Sequence, residues 1–151
     1  MDPEVSWKRA VELLHASHDV WKSPELTAAF PDGLERAASA LVATIGVDDV
    51  VWIETRSDLS APKVEAAVFS SDLVAHLMLT AEGFGFDIHR LVVDSLRATS
   101  IPYVHPGRDG PTTFRFMARF TELEVSFPWD PDNTKQDSRM AEQFARLRDR
   151  L

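Results

Sequence analysis

Two histidines and their charged neighbours are the residues whose types and spacing could support chemistry. His76 lies within an apolar segment, and His89 follows Asp87 by two positions, with Arg90 directly after it. Residues two apart in a strand share one face, so His89 and Asp87 would point the same way. A histidine held by a carboxylate can act as a general base, and an arginine can bind an anionic group. These four residues indicate a small-ligand or hydrolytic pocket.

The sequence offers no nucleophile to complete a hydrolytic site. Cysteine is absent, and no serine lies in a Gly-x-Ser-x-Gly turn. The alternative is that both histidines are ordinary residues on the polar side of a half-buried sheet, and we favour it. We therefore predict no catalytic residue and prefer a non-enzymatic function, while leaving the enzymatic one open.

Four arginines form a second candidate site, which would bind an anion. Arg90, Arg97, Arg115 and Arg119 lie on predicted strands, in a segment where acidic and basic residues balance. If these strands are neighbours, the guanidinium groups could bind a phosphate or a carboxylate together. The alternative is ion pairing across strands, for which Glu122 is placed beside Arg119. We favour ion pairing.

The metal-binding patterns in this sequence are incomplete. Glu12, His15 and His18 have helical spacing, but no second motif supplies the remaining ligands that a helical-bundle metal site needs. Residues 130–142 match a calcium loop at three positions, yet Lys135 stands where that loop requires glycine. An Asx turn that leads into the last helix explains the segment better. We predict no metal and no cofactor.

Tryptophans are the candidates for a partner surface. The chain has four of them, and Trp7 and Trp21 lie in the predicted N-terminal helices. An exposed tryptophan is typical of a protein interface, so these two would mark an interaction surface if they are exposed. The alternative is that the tryptophans fill the core and the seam between helices and sheet.

Composition excludes several classes of function. The chain has 151 residues, 44% of them hydrophobic, which predicts one globular domain over 1–151. Its net charge is −8 without any lysine- or arginine-rich run, so we expect no nucleic-acid partner. No apolar run could cross a membrane, and the acidic N-terminus is unlike a signal peptide. Together with the absence of cysteine, these features predict a cytoplasmic protein without a membrane partner, and we expect a bacterial one. Arginine outnumbers lysine 12 to 4, which is typical of a GC-rich genome and carries no functional weight.

Periodicity predicts the elements that must position these residues. Residues 1–46 predict helices, with Gly46 ending the last one. Alternating apolar residues then predict seven strands, among them Leu73–Thr80 and Phe86–Val93, interrupted by a loop at 102–111 that is rich in proline and glycine. An amphipathic helix ends the chain. The predicted fold class is α+β, with N-terminal helices packed on a small antiparallel barrel or curved sheet over 47–151 that includes the C-terminal helix.

The clearest strand pair is the hairpin at 113–129. Apolar and polar residues alternate in both strands, which is typical of a sheet with one buried face. A register that pairs Ala118 with Leu123 places the apolar residues on the inner face. The same register pairs Arg119 with Glu122 on the outer face.

The order of elements resembles the pleckstrin-homology-like barrel, in which seven strands form two bent sheets closed at one corner by a C-terminal helix. The stretch A-A-V-F-S-S-D-L-V-A-H (66–76) resembles a hairpin of bacterial members. D-I-H-R-L-V-V-D-S-L-R-A-T-S-I (87–101) resembles the strand, turn and strand that follow it. The resemblance covers residues 48–151. It implies a seven-stranded fold that binds lipid headgroups, peptides or proteins, but the loop at 57–63 has one basic residue, which argues against phosphoinositides.

We predict a non-enzymatic protein-interaction module. Its partner would be another protein or a second copy in a homodimer, contacted through an open sheet edge or the exposed face of the N-terminal helices. The alternative is a small-ligand-binding or hydrolytic domain with a cystatin-like curved sheet and a pocket around His76, Asp87, His89 and Arg90. An enclosed polar pocket would favour that alternative, and a filled core beside an exposed apolar patch would favour the module.

Overall fold

The computed structural model describes residues 2–102, 107 and 109–151. The chain divides into two compact units, Met1–Leu91 and Val92–Leu151. Each unit combines one antiparallel sheet with helical elements, which confirms the predicted α+β class. The seven strands form separate sheets of four and three strands, and not a closed barrel. A single domain over 1–151 stays a prediction.

Helices open the first unit: α1 (Pro3–Ser17), α2 (Pro24–Ala29) and α3 (Gly33–Ala40), with 3-10 turns at Asp19–Lys22 and Val47–Asp49. Asp2 caps α1, because its Oδ1 accepts a hydrogen bond from the backbone N–H of Glu4 at 2.9 Å. A π-helical turn, Leu41–Ile45, extends α3 and ends at Gly46. The φ of Gly46 is +85°, a conformation that glycine adopts at little cost, so the predicted end of the helical segment is confirmed.

The first sheet contains four strands in sequence order: β1 (Trp52–Asp58), β2 (Lys63–Phe69), β3 (Leu73–Thr80) and β4 (Gly83–Arg90). One face packs against the helices in an aliphatic core that joins Leu14 and Leu41 to Ile53, Val64 and Leu77. The opposite face carries the alternate residues of each strand, with Trp52, Phe69 and Val74 buried at one end. We call it the polar face for its other part, which holds Arg56, Lys63, Glu65, His76 and Asp87. Within this sheet β1 and β4 are the edge strands.

The second unit contains three strands and a helix: β5 (Val93–Ser100), β6 (Arg115–Phe120), β7 (Glu124–Phe127) and α4 (Met140–Arg148), with a 3-10 turn at Asp137–Arg139. Its core is built from aromatic rings. Phe116 stacks on Phe127 with 4.4 Å between ring centroids. Phe144 of α4 packs edge-on against both Phe114 and Phe116 at 5.1 Å.

The last hairpin has the predicted inner face but a different register. Ala118 lies opposite Val125, two residues from the predicted partner. The predicted register pairs Arg119 with Glu122 and leaves Phe120 outside the paired residues, but Phe120 is buried and ends β6. Thr121 and Glu122 form the turn instead. Moving the turn by one residue shifts the register by two, which keeps every side chain on its predicted face.

The predicted loop at 102–111 lies partly outside the described residues, which leave out 103–106 and 108. Its described positions belong to neither helix nor strand. Within the part of the chain that the structure describes, no helix has both the length and the apolar character needed to span a membrane.

Candidate functional site

The polar face of the first sheet brings together three of the predicted site residues. His76 on β3 lies opposite Asp87 on β4, and His89 lies two residues further along the same face. Arg90 lies opposite Leu73, on the face toward the helices. The structure therefore groups the two histidines with Asp87 and separates Arg90 from them.

Glu65 is a buried carboxylate at the centre of the charged part of the polar face. Its carboxylate accepts hydrogen bonds from Arg56 Nε at 2.5 Å and from Lys63 Nζ at 2.8 Å. Burial alone would raise the pKa of Glu65, but the hydrogen bonds from Lys63 and Arg56 and the charges of both outweigh it, so this pKa lies below its ordinary value. Glu65 is therefore ionised at neutral pH, and two cations balance its charge.

His76 lies beside this cluster, with its Nε2 4.0 Å from Glu65 Oε1. Burial lowers the pKa of His76 below its ordinary value, and the charges of Glu65 and Asp87 only partly oppose that effect. The imidazole is therefore neutral at pH 7 and can accept a hydrogen bond or a proton. That capacity is the chemistry this face offers.

A cavity of about 230 Å³ opens at the edge of the charged cluster. Its lining comes from β1 and β2: Arg56, Ser57, Asp58, Lys63 and Glu65. None of the four residues predicted to form a pocket lines this cavity. The cavity therefore gives the predicted pocket around the histidines no support.

Sequence reasoning missed Glu65, Arg56 and Lys63. The signal for Glu65 is a single carboxylate within the otherwise apolar run V-E-A-A-V-F (64–69), since a buried charge needs a partner. Arg56 is nine residues earlier on another strand, so only the β1–β2 register shows that it is the partner.

Three of the four predicted arginines share the outer face of the second sheet. Arg97 lies opposite Met117, and Arg115 and Arg119 occupy the alternate positions on either side of Met117. Arg119 Nη2 lies 3.0 Å from Glu124 Oε2. The predicted ion pairing across strands therefore exists, and Glu124 is the residue opposite Arg119. Arg90 belongs to the first sheet.

The predicted tryptophan surface is not exposed. Trp21 is 2% exposed, and its Nε1 donates a hydrogen bond to Thr55 Oγ1 at 3.1 Å. Trp21 therefore does not meet the condition under which it would mark an interaction surface. Trp7 is half-buried and packs against the aliphatic core. Trp21 joins the helices to the sheet, because a large apolar ring gains most from that burial.

The residues weighed as metal ligands have local roles. His18 Nδ1 accepts a hydrogen bond from the backbone N–H of Val20 at 2.8 Å. Asp130 Oδ1 accepts one from the N–H of Asp132 at 3.0 Å, which confirms the Asx turn. Among residues 2–102, 107 and 109–151, no group of three or more histidine, aspartate or glutamate side chains could hold a metal ion.

The outer edge of β4 is the most exposed strand edge of the first sheet. Within the described residues no strand pairs with it, and none of its eight residues is buried. Phe84 and Phe86 are partly exposed and stack with 6.4 Å between ring centroids. Ile88 is 40% exposed. Phe84, Phe86 and Ile88 therefore form an apolar row along a strand edge whose backbone N–H and C=O groups could pair with another strand.

The backbone of β4 directs alternate residues to this open edge. The N–H of Leu91 donates to the C=O of Asp72 at 2.8 Å, one step beyond the β3–β4 ladder. Hydrogen-bonded pairs alternate along an antiparallel ladder, so the odd-numbered residues of β4 bond to β3. The even-numbered residues Phe84, Phe86 and Ile88 therefore present their N–H and C=O groups to the open edge.

Comparison with known proteins returns no match. No protein-family model matches the chain, and neither a curated protein nor a solved structure does.

Proposed function

We propose that this chain is a non-enzymatic protein-interaction module that accepts an extended segment of another polypeptide along β4. The single observation that carries the proposal is the exposed eight-residue edge, to which no described strand pairs. An edge of this kind binds an incoming strand through backbone hydrogen bonds, and neighbouring side chains supply selectivity. Here Phe84, Phe86 and Ile88 would supply apolar contact.

The edges of the second sheet carry features that discourage pairing, and the first four residues of β1 are buried, whereas β4 has neither trait. The strand β5 has two register shifts, and β7 has four residues followed by Pro128. Bulges, short strands and proline are common ways to keep an edge from pairing. The eight residues of β4 contain neither proline nor lysine, and their register with β3 is uninterrupted.

A second candidate function is small-ligand binding or hydrolysis at the histidine pair, and one observation favours it. A neutral His76 lies opposite Asp87 on the polar face, where it could accept a proton from a bound molecule. The neighbouring cluster of Arg56, Lys63 and Glu65 gives this second candidate less support than the histidine does. Glu65 is already balanced by Arg56 and Lys63 and has no charge to spare for a cationic ligand.

The proposal includes the superfold, the cellular location and the class of partner that the sequence predicts. The seven strands followed by a helix agree with the element order of the pleckstrin-homology-like superfold, and membership in it is part of the proposal. So is a bacterial cytoplasmic location, with a protein partner in place of nucleic acid or membrane. The net charge of −8 supports the exclusion of polyanionic partners.

A photo-crosslinking amino acid at Arg90, in the full chain expressed in its native cell, tests the proposal. We expect a crosslinked product that contains a second polypeptide. The same probe at Val5, an exposed position on α1, is the matched control and should give no such product. Absence of a product at Arg90, or equal products at both positions, would overturn the proposal.

A second variant links the crosslink to the strand edge itself. Ile88→Pro removes one backbone N–H that faces the open edge and leaves the bonds to β3 in place. We expect it to abolish the Arg90 crosslink without changing the circular dichroism spectrum. A crosslink that survives Ile88→Pro would show that the partner does not pair with β4.

A further inference from the structure

We infer that the polypeptide on the β4 edge is the β4 strand of a second copy of this chain, in an antiparallel pair whose two-fold axis passes through Phe86. The inference rests on the proposed function and deepens it, because it names the partner and the register. It follows from the backbone directions and the side-chain order of residues 82–90.

Symmetry limits the registers that two copies can adopt. A two-fold axis that relates antiparallel edge strands stands perpendicular to the sheet and keeps each face on its own side. Opposite residues must then share a face, which means that both numbers are even or both are odd. The backbone groups at the open edge belong to the even-numbered residues, so the bonded pairs are even-numbered. At the centre, each Phe86 would exchange two hydrogen bonds with the Phe86 of the second copy.

The register centred on Phe86 makes the apolar row complementary to itself. It places Phe84 opposite Ile88 of the second copy, on both sides of the axis. A continuous apolar row would then cross the interface and cover Ile88, which is 40% exposed in the single chain. On the polar face, Gly85 would lie opposite Asp87, and glycine leaves room there because it has no side chain.

The same register pairs opposite charges at both ends. Glu82, in the turn directly before β4, would lie at the end of the paired strands close to Arg90 of the second copy, and symmetry repeats the pair. Both residues are exposed in the single chain. Opposite charges that face each other across strands are favourable, and like charges are unfavourable.

Neighbouring registers lose this complementarity. If the axis passed through Asp87, two aspartates would face each other at the centre. If it passed through Gly85, Ile88 would lie opposite Glu82. The register centred on Phe86 avoids both conflicts, so a second copy fits this edge in one register better than in its neighbours.

Sedimentation equilibrium of the full chain across protein concentration tests the inference. We expect the mass to rise from 16.9 kDa to twice that value. Arg90→Glu places like charges at two symmetric sites and should raise the dimer dissociation constant about tenfold. The double variant Glu82→Arg with Arg90→Glu should restore the wild-type dissociation constant, because arginine and glutamate again face each other with their positions exchanged.

A matched lysine pair provides a second test that does not depend on the charge pair. Ile88→Lys places an ammonium group in the apolar row and should abolish the dimer. Val5→Lys makes the same change at an exposed apolar residue on α1 and should leave the dimer intact. Circular dichroism of all variants should match that of the wild-type chain.

The outcomes separate this inference from the proposed function. A wild-type chain that stays monomeric, or a dimer that ignores both Arg90→Glu and Ile88→Lys, overturns the inference. If the chain is monomeric and the Arg90 probe still captures a different protein, the proposed function stands and the second copy is excluded. A monomer without any crosslink overturns both.

Discussion

The two compact units of this chain stabilise their sheets by different means. The first unit carries 15 acidic and 7 basic residues, which account for the whole net charge of −8. It packs mainly aliphatic side chains, together with Trp21, between helices and sheet and places a buried carboxylate on the other face. The second unit has 9 acidic and 9 basic residues and a core of stacked phenylalanines. The open edge and the unbalanced charge thus belong to the same unit.

The two units also differ in how deeply each buries an ion pair between arginine and glutamate. Each sheet has an arginine that contacts a glutamate on the neighbouring strand. The Glu65 side chain, which contacts Arg56, is 4% exposed, whereas the Glu124 side chain, which contacts Arg119, is 48% exposed. A buried charge is costly to leave without its partners, whereas an exposed ion pair contributes little. The same chemistry should therefore have different energetic weight in the two units.

The largest effect is expected from the aromatic core of the second unit. Phe116→Ala removes a buried ring that contacts Phe127 and Phe144, and we expect the free energy of unfolding to fall by about 3–5 kcal/mol. Urea unfolding followed by circular dichroism measures this. The matched change in the first unit is Leu77→Ala, for which about 2–5 kcal/mol is expected. A loss below about 1 kcal/mol for Phe116→Ala would contradict an aromatic core.

The next effect concerns the buried carboxylate. Glu65→Gln removes the charge that Arg56 and Lys63 contact and keeps the shape of the side chain. We expect a loss of about 1–3 kcal/mol, because the buried amide cannot replace both charged hydrogen bonds. Arg56 and Lys63 are half exposed and can turn to solvent, which limits the loss. Unchanged stability would show that burial of Glu65 offsets the benefit of its ion pairs.

The sequence predicted elements well where local signals agree with packing. The bounds of β3, Leu73–Thr80, were predicted as they stand, because a polar turn precedes an unbroken apolar run. Gly46 ends the helical segment for a local reason as well, its positive φ. These features depend on near neighbours in the chain, so periodicity and turn chemistry are sufficient to find them.

The start of β4 was not predicted, for a physical reason. Gly83 and Gly85 are typical of turns, and the predicted strand began only at Phe86. The ladder with β3 includes both glycines, Gly83 at a φ of +137°, and no local signal reveals a pairing partner. The site depends on such pairing throughout. The cluster around Glu65 and the opposition of His76 to Asp87 both join residues from different strands.

A pH dependence would sharpen the contrast by showing which groups stabilise the first unit. Burial lowers the pKa of His76 in the folded chain below its ordinary value of 6.5, so the unfolded chain binds the proton more readily. The stabilisation is complete above pH 6.5 and is lost as pH falls toward the folded pKa, with a slope of at most about 1.4 kcal/mol per pH unit. The pKa of Glu65 is likewise lowered from its ordinary value of 4.5, so the stabilisation by this carboxylate is lost as pH falls below 4.5.

Unfolding free energies between pH 8 and pH 5 would test the contribution of His76. Charged groups that act on it come from three strands: Arg56, Lys63, Glu65 and Asp87. His76→Gln should remove the change in unfolding free energy just below pH 6.5. The change below pH 4.5, which comes from Glu65, should remain. A slope just below pH 6.5 that is unchanged by His76→Gln would assign this dependence to another group.

The smallest effect is expected at the exposed pair of the second unit. A double-mutant cycle with Arg119→Gln and Glu124→Gln should give a coupling energy below about 0.5 kcal/mol, since both side chains keep much of their hydration and are screened by salt. The same cycle with Arg56→Gln and Glu65→Gln should give a larger value, because one member of that pair is buried. Equal coupling in the two cycles would mean that burial of the glutamate is not what distinguishes them. The polar face would then stabilise its sheet no more than an exposed surface does, and the difference between the units would lie in their apolar cores alone.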